Sequence, residues 1–103
     1  MPSARNPPSP PSYDASAIAA WRLYARLHDR LVDYSHAQGQ LAARTGMPIV
    51  RPLFMVDAAH KEAWDNWWTY QYGPDLLVSP VWEKGKRTQQ VYLPAGNRWR
   101  DAW

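Results

Sequence analysis

The sequence predicts an α+β chain in which one long amphipathic helix precedes a few short strands. Three observations carry this. Apolar residues recur at spacings of three and four between positions 18 and 41, a short apolar run follows at 49–56, and two β-patterned runs near the C-terminus flank a polar loop containing glycine. At 103 residues the chain holds at most one ordinary domain. Its hydrophobic content of 46%, with seven Trp, speaks for packed structure over most of the length rather than disorder.

The elements follow in order. Residues 1–11 carry Pro at positions 2, 7, 8, 10 and 11, which removes backbone donors and fixes φ, so this Pro-rich arm is expected to be extended or disordered. From 12 to 45 the pattern is helical. Ser12, Asp14 or Ser16 can cap its start, and Ile18, Trp21, Tyr24, Leu27, Leu31, Tyr34, Gln38 and Leu41 form a broad stripe opposite Arg22, Arg26, Asp29, Arg30 and Asp33. Gly39 weakens the helix and marks close packing or a bend, while Gly46 followed by Pro48 ends it. Residues 49–56 are apolar on both sides apart from Arg51, as in a strand of a parallel sheet covered on both faces, with Pro52 acceptable near a strand end. A connection runs from 57 to 75 with one helical turn around 61–68. Strands are expected at 76–82 and 88–94, joined by a hairpin loop at 83–87, and a third strand starts at Arg98.

Composition excludes several classes. The formal charge of +3 is spread along the chain, without the clustering that a nucleic-acid or membrane footprint needs, so neither partner is expected. No apolar run approaches the length of a membrane span. Cysteine is absent, which leaves the redox compartment open, and the N-terminus lacks the apolar core of a signal peptide, which favours the cytoplasm.

Candidate chemistry is sparse. Asp29 and Asp33 read as a solvated helix face, and His28, His36 and His60 lack the spacing of a metal helix, so no metal and no cofactor is expected. Trp67 and Trp68 are the candidate substrate-binding residues because they lie in a connection rather than a strand. With Trp82 they could form a flat platform for sugar faces, although large aromatics also serve packing. This gives one reading of the chain as a small non-catalytic carbohydrate-binding module. An interaction protein acting through the Pro-rich arm and the amphipathic helix is a further alternative.

Three motifs in order say more. They are Gly46-Met47-Pro48-Ile49-Val50-Arg51-Pro52-Leu53-Phe54, then Gly73-Pro74-Asp75-Leu76-Leu77-Val78-Ser79-Pro80-Val81, then Tyr92-Leu93-Pro94-Ala95-Gly96. Together they resemble the end of the catalytic barrel and the start of the following β-domain in glycoside hydrolase family 31, the α-glucosidase and α-xylosidase family, over residues 13–103. The resemblance implies that residues 12–56 are the terminal helix and strand of a (β/α)₈ TIM barrel, 57–75 a connection, and 76–103 the opening of a C-terminal antiparallel β-sandwich. It implies a fragment of a retaining α-glycosidase acting on α-glucosides or α-xylosides, with a carbohydrate substrate. The nucleophile and acid/base Asp residues of the family lie on earlier strands, in motifs without a counterpart here, so no residue of this chain is catalytic and the chain alone is expected to be inactive. Arg51 would stand behind the active site of such a barrel, orienting groups that touch substrate, or make a structural ion pair with a neighbouring strand. Two departures touch the subfamily: Val56-Asp57 stands where a Pro-Asp pair is common, and Thr69 where Gln is common. Stable folding is expected to need the rest of the barrel and β-domain, since open strand edges and exposed Val, Leu and Trp favour aggregation.

Overall fold

Asp14, of the three candidate caps, opens the first helix in the computed structural model, which describes residues 13–103. The Pro-rich arm and Ser12 lie outside the described residues. The chain divides at His36/Ala37 into two compact units.

In the first unit, Asp14 Oδ1 accepts from the Ala17 amide at 2.7 Å and from the Ser16 hydroxyl at 2.8 Å, satisfying donors that the start of a helix leaves free. The helix α1 covers Ala15–Arg30, and α2 covers Val32–Thr45, so the single expected helix is interrupted. The irregularity falls at Leu31 and not at Gly39. The Leu31 amide is shared between the Leu27 and His28 carbonyls, both at 3.1 Å, and its ψ of 0° tightens one turn. Ser35 N bonds Leu31 O at 2.8 Å, so the ladder resumes at once. The expected apolar stripe is present, yet no residue of α1 or α2 is buried, and Trp21 and Tyr24 are more than half exposed. Trp21 meets Tyr13 with ring centroids 5.9 Å apart.

In the second unit, α2 runs through Gly39, where an added Cβ would meet Ile49 Cδ1 at 4.0 Å, and stops at Gly46, which takes the left-handed φ of +76° expected from the Gly-x-Pro sequence. The Thr45 hydroxyl donates to Leu41 O at 2.8 Å and accepts from Met47 N at 3.2 Å, closing that end. There follow β1 (Val50–Pro52), α3 (Leu53–Val56), α4 (Lys61–Asp65), β2 (Tyr70–Tyr72) and β3 (Leu76–Val78). The strands form one sheet in the order β1-β2-β3 with both pairings antiparallel, in the register Arg51↔Gln71↔Leu77.

This corrects several expectations. The run at 49–56 is a three-residue strand that turns into one helical turn at Leu53, because Pro52 ends the ladder and has the extended geometry that precedes a helix, φ −60° and ψ 151°. Within this chain its neighbour is antiparallel, since the segment 53–69 doubles back without a crossover. The connection at 57–75 contains the central strand. The strand expected at 76–82 stops at Val78, two residues before Pro80, and residues 88–94 and 98–103 form no strand. The loop at 83–87 does turn, with Lys86 N bonding Glu83 O at 3.3 Å and Lys86 Nζ facing Glu83 Oε1 at 3.3 Å, but its flanks do not pair.

Residues opposite one another in the ladder share a face. Arg51 and Gln71 on one face are buried, while on the other Val50 is 53% exposed and Pro52, Tyr70, Tyr72, Leu76 and Val78 are only half-buried. Among the described residues, Leu53 and Ala63 are the buried hydrophobic side chains. The observed architecture is thus a small α+β unit whose three-stranded sheet has two open edges and little apolar core.

Candidate functional site

The buried face of the sheet settles how Arg51 is tolerated. Its Nε donates to the Pro48 carbonyl at 2.9 Å, so the guanidinium is held by backbone of its own segment. Opposite it, Gln71 Nε2 donates to the carbonyls of Pro74, at 3.2 Å, and Gly73, at 3.5 Å, which ties β2 to the turn that follows it. Thr69, 1% exposed, exchanges a hydroxyl hydrogen bond with Ser79 at 2.9 Å and links the beginning of β2 to the end of β3. Each buried polar group here finds a local partner, which a sheet face needs when its polar side is the covered one. Arg51 and Gln71 are thus satisfied within their own segments, and Thr69 bonds across to the residue after β3.

A second constellation was not visible as such in the sequence. Asp57 follows α3, and its side chain is only 9% exposed. Its Oδ1 faces His60 Nδ1 at 2.6 Å and its Oδ2 accepts from the Tyr92 hydroxyl at 2.7 Å, across 35 positions of chain. The His60 and Tyr92 hydrogen bonds, joined by the Ala95 amide, hold the Asp57 carboxyl below its ordinary 3.8. The same carboxylate raises His60 above its ordinary 6.5 and pushes the Tyr92 phenol up to about 12. Tyr92 belongs to the Tyr-Leu-Pro-x-Gly motif, and Asp57 stands beside the Pro-Asp departure. Both positions were therefore marked in the sequence, but no spacing rule joins residues so far apart. This cluster acts as a clasp between the segment after β1 and the C-terminal segment, with both carboxylate oxygens engaged.

The predicted aromatic residues do come together. Trp67 and Trp68 meet edge to face with centroids 5.7 Å apart and planes at 89°, and Trp67 meets Trp82 at 5.1 Å and 45°. Trp67 is 70% exposed and Trp82 52%, so these two form a tilted shelf rather than a flat one. Trp68 is half-buried, and its indole N–H donates to the Gln90 carbonyl at 3.3 Å. That bond, with the Tyr92 bond to Asp57, anchors 88–94 through side chains where a strand was expected. Trp64, on α4, stacks on Phe54 with centroids 4.8 Å apart and planes at 15°, and its indole N–H donates to Ala58 O at 2.9 Å, so it serves packing. Trp99 is likewise spent on the Pro94 carbonyl, at 3.0 Å.

Beside Trp68 an open surface pocket of about 260 Å³ is lined by Glu62, Asp65, Asn66, Trp68, Val91 and Tyr92, among others. The α4 helix supplies the two carboxylates, with Lys61 paired to Asp65 one turn away, and its buried Ala63 seats it against the unit. Asn66 ends the helix, is 8% exposed, and has its side-chain Oδ1 buried without a hydrogen-bond partner. Among the described residues no three His, Cys, Asp or Glu are grouped to hold a metal ion, and no helix is long and apolar enough to cross a membrane.

Comparison with known proteins places this arrangement in context. Residues 46–103 match the glycosyl hydrolase family 31 C-terminal domain. The chain is 37% identical to a 1,3-alpha-isomaltosidase of Kribbella flavida over 90 residues, covering 87% of this chain and 12% of that protein. It is 31% identical to a sulfoquinovosidase of Agrobacterium fabrum over 90 residues, again 87% of this chain and 14% of that protein. An alpha-xylosidase of Saccharolobus solfataricus is 32% identical over 80 residues, 78% of this chain and 11% of that protein. The chain thus spans between a tenth and a seventh of the length of these relatives. No solved structure matches it.

Proposed function

The chain belongs to glycosyl hydrolase family 31, and from that membership we propose that it forms the junction between the last strand of a (β/α)₈ barrel and the β-domain that follows, in a longer retaining α-glycosidase. The single observation that carries the reading is the clasp of Asp57 on Tyr92, which ties the segment directly after β1 to the Tyr-Leu-Pro-x-Gly motif at 2.7 Å. Such a clasp fixes how a strand end is presented to the domain beyond it. In this reading residues 12–56 are barrel, 57–75 the crossing, and 76–103 the opening of the β-domain.

Barrel enzymes assemble their sites from the C-terminal ends of several strands. This chain offers one such end, at Leu53, Phe54 and Met55, where Leu53 is buried and Phe54 and Met55 are about 40% exposed. Retaining cleavage requires a nucleophilic carboxylate and an acid/base carboxylate about 5–5.5 Å apart on either side of the scissile bond. Asp57, the carboxylate nearest the strand end in sequence, is oriented by His60 and Tyr92 with a side chain only 9% exposed, and its lowered pKa is the opposite of what a general acid needs. The reacting carboxylates belong elsewhere in the parent enzyme. The role of this chain is to position one wall of the site and to close the barrel against the β-domain. The substrate class is an α-glucoside or α-xyloside, and the partners of the chain are the remaining barrel strands and the rest of the β-domain.

The test is hydrolysis of para-nitrophenyl α-glucoside and α-xyloside, with the product anomer read by NMR. The expected result is no turnover by the 103-residue chain and turnover with retention by the complete reading frame that contains it. Turnover by the chain alone, or inversion by the complete protein, overturns the proposal.

A further inference from the structure

We infer that the Arg51 guanidinium forms an ion pair with a carboxylate of the longer protein, carried by a residue outside 13–103. The inference rests on the reading of the chain as one piece of a larger enzyme and names the chemistry of one contact across the join. Arg51 is 8% exposed and lies at the middle of β1, a strand with one free edge in the order β1-β2-β3. One of its five N–H donors is used, by Nε on the Pro48 carbonyl at 2.9 Å. The terminal nitrogens find no acceptor among the described residues and are not enclosed, so the tip of the guanidinium reaches the surface of the unit.

The bond to Pro48 orients the group and leaves its charge unbalanced. A guanidinium cannot shed its charge as a buried carboxyl or amine does, so its burial has to be offset by an anion. Within the unit, Asp57 is engaged by His60 and Tyr92, Asp65 by Lys61 and Glu83 by Lys86, and none of the ion pairs among the described residues includes Arg51. Gln71, its cross-strand partner, carries no charge and directs its amide nitrogen at the Gly73 and Pro74 carbonyls. The remaining donors select what is missing. Their planar fork matches the two oxygens of a carboxylate, and a strand added along the free edge of β1 would set its side chains beside Arg51 on the same face, about 5 Å away.

The experiment uses the protein expressed from its full reading frame. Melting temperatures are compared for the unaltered protein, Arg51→Met and Arg51→Lys, with Arg87→Met, in the exposed 83–87 loop, as the control for a general change of charge. Removing the guanidinium from a pair strands a buried carboxylate and raises its pKa, so the penalty is large at high pH and shrinks as that carboxylate takes up a proton. The expected result is a deficit in Arg51→Met that falls to about half or less between about pH 8 and about pH 5, a smaller deficit in Arg51→Lys, and no such trend in Arg87→Met. Asp57 and His60 titrate in every variant, so the differences isolate Arg51. A deficit independent of pH, or no deficit, overturns the proposal. If Arg51→Met does not fold, the structure of the unaltered full-length protein decides. A carboxylate oxygen from outside 13–103 within about 4 Å of an Arg51 terminal nitrogen is the expected contact. A backbone carbonyl, water or a bound inorganic anion in its place overturns the proposal. Hydrolysis of the para-nitrophenyl glycosides tests the glycosidase reading separately, since an inactive protein can keep the pair and an active one can lack it.

Discussion

Replacing Leu53 by Ala tests how little apolar core holds the second unit together. Leu53 is 1% exposed and, with Ala63, makes up the buried hydrophobic side chains of the described residues. Truncating a buried Leu costs about 2–5 kcal/mol through lost transfer energy and the cavity left behind. Small domains hold about 5–15 kcal/mol in all, and a unit with so little burial stands at the low end of that range. The substitution should therefore remove something like half of the stability or more. With a urea slope of about 1–3 kcal/mol per molar, the midpoint falls by about 0.7–5 M. The assay is urea unfolding at low protein concentration, followed by tryptophan fluorescence, for which Trp64 stacked on Phe54 is a neighbouring reporter. Val50→Ala is the control, since Val50 is on the open face of β1 at 53% exposure and should cost about 0.5 kcal/mol. A Leu53→Ala penalty below about 1 kcal/mol refutes the reasoning. So does a Val50→Ala penalty equal to that of Leu53→Ala, because the open face would then be covered.

The two glycines of the α2 region should respond in opposite directions. Gly39→Ala raises stability by up to about 1 kcal/mol, because it improves helix propensity and meets Ile49 Cδ1 only at ordinary contact distance, whereas Gly46→Ala lowers it by about 1 kcal/mol through the strain of φ +76°; thermal melts of both variants check this. The clasp gives a pH profile with two limbs. Asp57, lowered in the fold, contributes stability above its ordinary 3.8 that is lost as pH falls through the lowered value, and His60, raised in the fold, contributes below 6.5 and loses it as pH rises through the raised value. Melting temperature against pH should therefore lose its near-neutral limb in His60→Gln and have its acid limb weakened as well, because His60 is the larger cause of the lowered Asp57, whereas Tyr92→Phe should weaken the acid limb alone. Asp14→Ala should reduce helicity by circular dichroism, since α1 has its cap and no buried residue to hold it. Light scattering of the isolated chain should rise with concentration, because β1 and β3 are both open edges.

The helical part of the fold was legible because its signals are local. Asp14, the stripe from Ile18 to Leu41 and the Gly46 stop each act within one or two turns, and all three appear in the structure. The Leu31 irregularity was not legible, because it arises from how one amide is shared and not from a residue that breaks helices. The sheet was read less well. A three-residue strand such as Tyr70–Tyr72 is too short for alternation to register, and its inward residue is Gln71, the reverse of the apolar-in pattern that sequence reading relies on. Val91 and Leu93 alternate with Tyr92 as a strand would, yet the segment is held by two side-chain bonds, from Trp68 to Gln90 and from Tyr92 to Asp57. Of the candidate site, Trp67 and Trp68 were marked by their place in a connection, and in the structure Trp67 is exposed while Trp68 is half-buried and bonded to Gln90. Asn66 and Glu62 gave no signal, because an orphaned amide exists only once the surrounding chain has closed over it.

The reach of the Asp57 to Tyr92 bond bears on how proteins of this kind can be cut and recombined. The stretch between them looks in sequence like a place to exchange the C-terminal portion between homologues. A crossover anywhere in that interval takes the carboxylate from one parent and the phenol from the other, and a parent without either partner leaves the survivor facing a gap. Chimeras should therefore tolerate junctions before Asp57 or after Ala95 better than those between, and substitutions at the two positions should rescue one another when exchanged as a pair.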